Sequence, residues 1–348
     1  MQERMSEPFD ISVVISTYNR CDMLPAAIES VLAQDAQGLL YEVIVVDNNS
    51  SDATREVVES LIARGEGNLR YVFEGKQGLS HARNAGISAS RAPLIAFTDD
   101  DVRAAPDWVA LIKRAFDSHP EVDFVGGKVL PQWESEPPRW LTKKHWSPLA
   151  IMDYGDEPFY VDSETPLCMV GANLSIRREL FGRVGLFNPD LQRVKDGVGS
   201  MEDHEFLLRA WKAGRRGLYV PEIIMHAEVQ TERMKKDYHR RWHTGHGHFY
   251  AIMRAEDIER GDARLFDVPA HLYRQALKDT FGWLMHFLRG REELAFEREN
   301  EVRFFRGFFR QRRKEFKAAR PRSTAREIAL FAQSLVSSIL HRKVRRES

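Results

Sequence analysis

The chain reads as an α/β protein: a largely parallel sheet covered by helices, followed by a helical region after about Lys235. Two observations carry that reading. Residues 11–16, 43–46, 69–73 and 94–97 are short apolar runs rich in β-branched or aromatic side chains, the composition of buried strands. Helical patterns fill the gaps between them, and strand–helix alternation at this spacing builds parallel sheets with helices on their faces. Asp22 can cap a first helix running to about Ala33, and Ser51 or Asp52 a second running to about Arg64. Residues 78–89 form a third, and Pro106 suits the first position of a fourth through Phe116. In such sheets ligands bind beyond the carboxyl ends of the strands, so the polar residues that follow each run matter most. They are Thr17-Tyr18-Asn19, Asp47-Asn48-Asn49 and Asp99-Asp100-Asp101.

Residues 131–166 break the periodicity with prolines and aromatics, among them Trp133, Trp140, Trp146, Tyr154, Phe159 and Tyr160, and read as a long loop. Order returns at 168–176, then a helix over 202–213 stopped by Gly214, then a strand over 217–220 that Pro221 ends. Helices are expected over 273–288, 297–316 and 324–341. The 348 residues suit about two domains. Lys and Arg (51) balance Asp and Glu (51), which excludes a strongly basic nucleic-acid binder. The balance hides an asymmetry. Residues 289–348 hold 17 Lys/Arg against 8 Asp/Glu, net +9, so the preceding part is net −9. Two cysteines, Cys21 and Cys168, provide no disulfide framework, and the absence of a leader-like or spanning apolar segment leads us to expect a cytoplasmic protein.

Asp99 and Asp101 alternate after a strand, so both can point to one side of the sheet's carboxyl edge. Paired carboxylates invite a hard cation, Mg²⁺ or Mn²⁺, whose remaining positions suit a diphosphate. An isolated DDD also suits a solvated turn before a helix. Glu202-Asp203 opens a helix, where carboxylates are favoured by the dipole alone. The glycine-rich lead-in at 196–200 allows close backbone approach to a ligand, so a carboxylate at that junction could take a proton from a hydroxyl nucleophile. His226, after Pro221, is a candidate to complete the metal shell. The cluster His239, His243, His246 and His248 is read as a glycine-containing mobile loop suited to phosphate rather than metal, since Arg240 and Arg241 repel a cation.

The ordered series VVISTYNR, VIVVDNNSSD, GLSHARNAG, FTDDD, GANLSIRR and MED resembles the inverting family 2 glycosyltransferases with the GT-A fold, over residues 9–230. The resemblance implies a GT-A catalytic domain over 1–235, with a nucleotide-sugar half at 9–127 and an acceptor half at 128–235, and a basic helical extension over 236–348. It implies that Thr17, Tyr18, Asn19, Asp47, Asn49 and Gly78 hold the nucleotide-sugar, with Arg83 near the phosphates and Asp99 and Asp100 toward the ribose or donor sugar. Asp101, with Asp99 and His226, would hold the metal. Asp203 would be the catalytic base and Glu202 its support, while Gly171, Ala172 and Asn173 would line the donor–acceptor cleft.

Trp140 and Trp146 are expected on the acceptor side, because aromatic faces stack on sugar rings and long loops close over substrates. The expected partners are a nucleoside diphosphate sugar, UDP-sugar favoured, and a glycan or lipid-linked acceptor in cell-surface polysaccharide assembly. Ile328, Phe331, Leu335, Val336 and Ile339 form an apolar stripe with basic edges, which suits a membrane surface, the catalytic domain or a second subunit. Two other classes stay open. A nucleotidyltransferase shares such a sheet but needs a glycine-rich phosphate loop after the first strand; a non-catalytic sugar-nucleotide scaffold would be expected to lack Asp101 or Asp203. A dinucleotide oxidoreductase is disfavoured by the lack of G-x-G-x-x-G after residues 11–16.

Overall fold

The computed structural model describes residues 9–65, 68–192, 198–199, 201–256, 258–261 and 263–319. The expected helix at 324–341 and most of the lead-in at 196–200 lie outside them. The chain divides into two compact units after Met234, with Val198, Gly199 and Met201 counted in the second.

In the first unit, β1 (Ile11–Thr17), β2 (Tyr41–Asp47), β3 (Leu69–Phe73) and β4 (Leu94–Asp99) run parallel in the order β3-β2-β1-β4. All seven residues of β1 are buried, as a central strand covered on both faces requires. The crossovers are α1 (Leu24–Leu32), α2 (Thr54–Ala63) and α3 (Leu79–Ala89). Helix α1 has a proline in its first turn but no side-chain cap from Asp22: its N-cap is Met23. Asp52 does accept from the Thr54 backbone N–H at 3.1 Å, although the α2 N-cap is Ala53. Register fixes the carboxyl edge. Thr17 pairs with Asp47, and Ser16 with Asp99, so three of the polar strand ends share one rim.

Beyond β4 the sheet becomes mixed. The short β5 (Val102–Ala104), then α4 (Trp108–Ser118), β6 (Phe124–Trp133), β7 (Phe159–Val161), β8 (Leu174–Arg177), α5 (Arg178–Val184), α6 (Glu202–Lys212) and β9 (Gly217–Val229) complete the unit. The order continues β4-β8-β6-β9-β5, and with β7 also on β9 this sheet has nine strands among the described residues. Two expectations are corrected here. The strand from Gly217 does not end at Pro221: β9 runs on to Val229, because the β6–β9 register shifts between Gly126 and Lys128. A proline that cannot donate to a ladder is tolerated at such a bulge. Nor is 131–166 wholly a loop: β7 pairs with the start of β9, and Phe159 stacks on Tyr219 with centroids 4.9 Å apart.

The second unit contains α7 (Lys236–Met253), α8 (Ala270–Leu288) and α9 (Glu292–Ala319). The histidine cluster is therefore helical, not a loop. Its glycines serve close helix packing: a Cβ on Gly247 would lie 2.0 Å from the Phe304 carbonyl oxygen, and one on Gly307 1.9 Å from that of Thr244. His246 stacks on Trp242, centroids 4.5 Å apart, and His239 is buried. Among the described residues no helix is long and apolar enough to cross a membrane.

Candidate active site

The rim of the parallel half gathers acidic residues around three arginines. Asp99 ends β4, and Asp100 and Asp101 form the turn into β5. Their carboxylates meet different arginines. Asp99 lies 3.5 Å from Arg83, whereas Asp101 Oδ2 accepts at 3.1 Å from Arg20 and at 3.1 Å from Arg233. Asp100 is buried, with Arg20 Nε 3.8 Å from its Oδ1. Burial pushes its carboxyl up to about 7 against the pull of Arg20, and Asp101 and Asp99 add to the rise. The pair is thus not an uncompensated repulsive one, because arginines supply the opposing charge.

His226 does not join these carboxylates in a preformed shell. It is exposed on β9 opposite Arg103, and no group of three or more His, Cys, Asp or Glu able to hold a metal occurs among the described residues. The donor chemistry still fits a hard dication. Two oxygen donors on one turn suffice for an ion that completes its shell with water and phosphate oxygens, and a cation would offset the negative charge that Asp99 and Asp101 place beside the buried Asp100.

Arg83, expected near the phosphates, is held by carboxylates. It sits on α3, is 2% exposed, and reaches Glu202 at 3.1 Å, Asp203 at 2.5 Å and Asp99. Burial works against its charge, but Asp203, Asp99 and Glu202 outweigh that and hold its pKa above the ordinary arginine value. Asp203 is thereby fixed at both oxygens: Oδ1 takes Arg83 and Oδ2 takes the Gly171 N–H at 2.8 Å. Its side chain remains 18% exposed, and a carboxylate accepting two bonds has lone pairs left for a hydroxyl. Glu202, 1% exposed, can orient but not react. A Cβ on Gly171 would lie 2.2 Å from Arg83 Nη2, so any side chain there would displace the guanidinium.

The other predicted residues separate into rim and framework. Thr17 is buried and Tyr18 half-buried at the end of β1, while Asn19 and Asn49 take positive φ in facing turns. Asn19 Oδ1 accepts from the Ser51 N–H at 2.7 Å. Asp47 is buried, accepting from the Ser50 N–H at 2.9 Å and from the Tyr71 hydroxyl at 2.7 Å. Gly78 does not present an open helix N-terminus to a phosphate. Gln192 occupies that place: its Oε1 takes the Ser80 N–H at 2.9 Å, and a Cβ on Gly78 would meet it at 2.2 Å.

Ala172 and Asn173 are likewise buried rather than cleft-lining. Asn173 accepts from the Trp108 indole at 2.9 Å and donates to the carbonyls of Lys128 and Ile223 at 2.8 and 2.9 Å, clasping α4, β6 and β9. Asn173→Leu, which removes these partners, is expected to cost about 3 kcal/mol in a urea unfolding titration. Unchanged stability with impaired acceptor use would restore the cleft assignment.

Trp140 and Trp146 are half-buried around His145, with Trp140 edge-on to it at 5.3 Å. The same turn is anchored to the acidic rim, because Arg233 donates to the Leu149 carbonyl at 3.0 Å as well as to Asp101.

Residues 12–185 match the model of glycosyl transferase family 2. The chain belongs to that family. This glycosyltransferase is 27% identical over 232 residues to the glucosyl-dolichyl phosphate glucuronosyltransferase of Haloferax volcanii, an alignment covering 66% of this chain and 72% of that protein. It is 30% identical over 201 residues to the validoxylamine A glucosyltransferase of Streptomyces hygroscopicus subsp. jinggangensis, covering 52% of this chain and 47% of the relative, so it spans about half that protein's length. Among solved structures, the mannosyltransferase PcManGT from Pyrobaculum calidifontis, in complex with GDP-Man and Mn²⁺, aligns at a TM-score of 0.53 and 19% identity, over 96% of this chain and 81% of that one. The TarS 1-349 fragment of S. aureus with UDP-GlcNAc aligns at 0.51 and 16%, over 87% and 92%. These two likenesses establish the GT-A fold of the glycosyltransferase.

Proposed function

We propose that this glycosyltransferase moves a sugar from a nucleoside diphosphate sugar, UDP-sugar favoured, to a hydroxyl acceptor with inversion at the anomeric carbon. One observation carries the reading: Arg83 joins Asp99, on the donor rim, to Asp203, at the helix junction. A base fixed relative to the donor acids is what a single displacement needs, since attacking hydroxyl, anomeric carbon and leaving group must fall in line. In this reading Thr17, Tyr18 and Asp47 receive the nucleoside, with Asn19 and Asn49 shaping the turns around it. Asp203 takes the hydroxyl proton, and Arg20 and Arg233 stand where charge on the departing diphosphate can be met.

When bound, a Mn²⁺ or Mg²⁺ ion held by Asp101 and Asp99 would supply further neutralisation of the diphosphate. A panel of UDP-, GDP- and TDP-sugars, assayed for nucleoside diphosphate release with Mn²⁺, identifies the donor. Release from none of them, with or without candidate acceptors, would argue for the scaffold reading. Calorimetry is expected to show that donor binds at least about tenfold more weakly in EDTA than in Mn²⁺, each factor of ten being about 1.4 kcal/mol. Equal affinity would mean that Arg20 and Arg233 carry the diphosphate without metal.

On the acceptor side, the anchoring of the Trp140–Trp146 turn to Arg233 supports a role in holding the second sugar. Replacing both tryptophans with Ala should raise the acceptor KM more than the donor KM. Equal changes in both, or loss of stability alone, would reduce the segment to packing. The relative named for glucosyl-dolichyl phosphate favours a lipid-linked acceptor, and with it we propose work at the cytoplasmic face of a membrane. Extraction and assay of product in the lipid or aqueous phase separates that from a soluble acceptor.

A further inference from the structure

Helix α8 uses one side to build the second unit and leaves the other bare. Inward, Leu272 is buried and Asp279 accepts from Arg298 of α9 at 2.8 Å and from Gln275 at 2.8 Å. Outward, Leu277, Phe281, Leu284 and Leu288 recur at intervals of four, three and four, which aligns them in one stripe along the helix. Leu277 is 71% exposed, Phe281 65% and Leu288 70%, with Phe287 beside them at 64%. Isolated exposed apolar residues need no explanation, but a contiguous row on one helix marks an interaction surface.

The charges on the same helix indicate the partner. Its only acidic residue is Asp279, which is 1% exposed and already paired. Arg274 and Lys278, both exposed, lie about 60° and 100° round the helix from Leu277, and Arg289 and Arg291 follow its last turn. The next acids, Glu292 and Glu293, belong to the first turn of α9, where the helix dipole favours them. The exposed side of α8 is thus an apolar stripe with a basic margin. A second copy is a poor occupant: stripe-on-stripe antiparallel pairing would bring Arg274 and Lys278 of one helix to Arg289 and Arg291 of the other, with no exposed acid on α8 between them.

We propose that α8 docks on an anionic lipid surface, its stripe seated in the headgroup layer and its arginines and lysine among the lipid phosphates. The inference stands independently of sugar transfer. It is tested with the full chain and no sugar, by sedimentation with phosphatidylcholine vesicles with and without phosphatidylglycerol, at low and high salt. The intact protein should sediment with the phosphatidylglycerol vesicles and be released by salt. The double substitution Phe281→Glu, Leu284→Glu should lower vesicle affinity roughly tenfold or more, with the melting temperature and circular dichroism kept, because both side chains already face water. Arg274→Ala with Lys278→Ala should weaken the preference for phosphatidylglycerol over phosphatidylcholine. Failure of the intact chain to bind either vesicle would overturn the proposal. So would undiminished binding by the Glu variant, which would move lipid contact to the basic segment 320–348. A dimer in light scattering that the Glu variant converts to monomer would assign the stripe to a second copy instead. Donor hydrolysis by the Glu variant should equal that of the parent, so loss of docking and failure of the transfer reading give different results.

Discussion

Asp203→Asn is expected to lower the rate of sugar transfer by roughly a hundredfold or more while leaving donor affinity within about twofold. The substitution keeps the volume of the side chain and removes its ability to take a proton. Asp203 is suited to that role by its surroundings: one oxygen is held by Arg83 and the other by the Gly171 N–H, yet the group keeps 18% of its surface toward solvent. The amide can satisfy Arg83 through its oxygen, but its NH₂ then faces the Gly171 N–H, donor to donor. A stability loss of about 1–3 kcal/mol should therefore accompany the kinetic loss. Single-turnover assays at saturating donor separate the two, since a merely loosened fold would weaken donor binding as well. Transfer at the parent rate would remove Asp203 from the chemistry. Glu202 could not inherit the role in place, being 1% exposed and bonded to Arg83.

Local patterns made the parallel half of the molecule legible. The four runs of β-branched residues became β1 to β4, and the polar residues after them lie on one rim, because parallel strands in register must end together. What could not be read was pairing across long separations. Gln192, which fills the place before α3, is more than a hundred residues from the Ser80 N–H it caps. Arg233 meets Asp101 from a turn with no motif of its own, although Arg20 lay in view within VVISTYNR. Asn173 looked like a cleft residue because it sits in a conspicuous GANLSIRR string; its amide is instead consumed by an indole and two carbonyls. Pro221 misled for a related reason. A proline ends a regular strand, but β9 carries extra residues around Pro221 opposite the Gly126–Lys128 step of β6, and only the pairing with β6 reveals them. The glycines of the histidine helix spoke of looseness in sequence and of tight packing in space, because glycine serves both.

Arg83 is the residue whose loss should reach furthest. Three carboxylates converge on one guanidinium that is 2% exposed, so removing it leaves Glu202, buried at 1%, with an uncompensated charge beside Asp203 and Asp99. Arg83→Met, similar in length and uncharged, is expected to destabilise the first unit by about 3–5 kcal/mol, the usual cost of breaking a buried ion pair from one side. Arg83→Lys keeps the charge but not the fork. A single ammonium cannot reproduce two guanidinium nitrogens serving Asp99 and the Glu202–Asp203 pair from different sides. The Lys variant should thus recover most of the stability, as read by urea unfolding, and still transfer sugar at least about tenfold more slowly, with kcat falling further than donor affinity. That split distinguishes positioning from mere support. If Arg83→Lys restored stability and rate together, charge alone would be what the site requires of this residue. If Arg83→Met instead left stability intact and abolished donor binding, the guanidinium would belong to the diphosphate, and the carboxylate cage would be what it leaves when donor arrives.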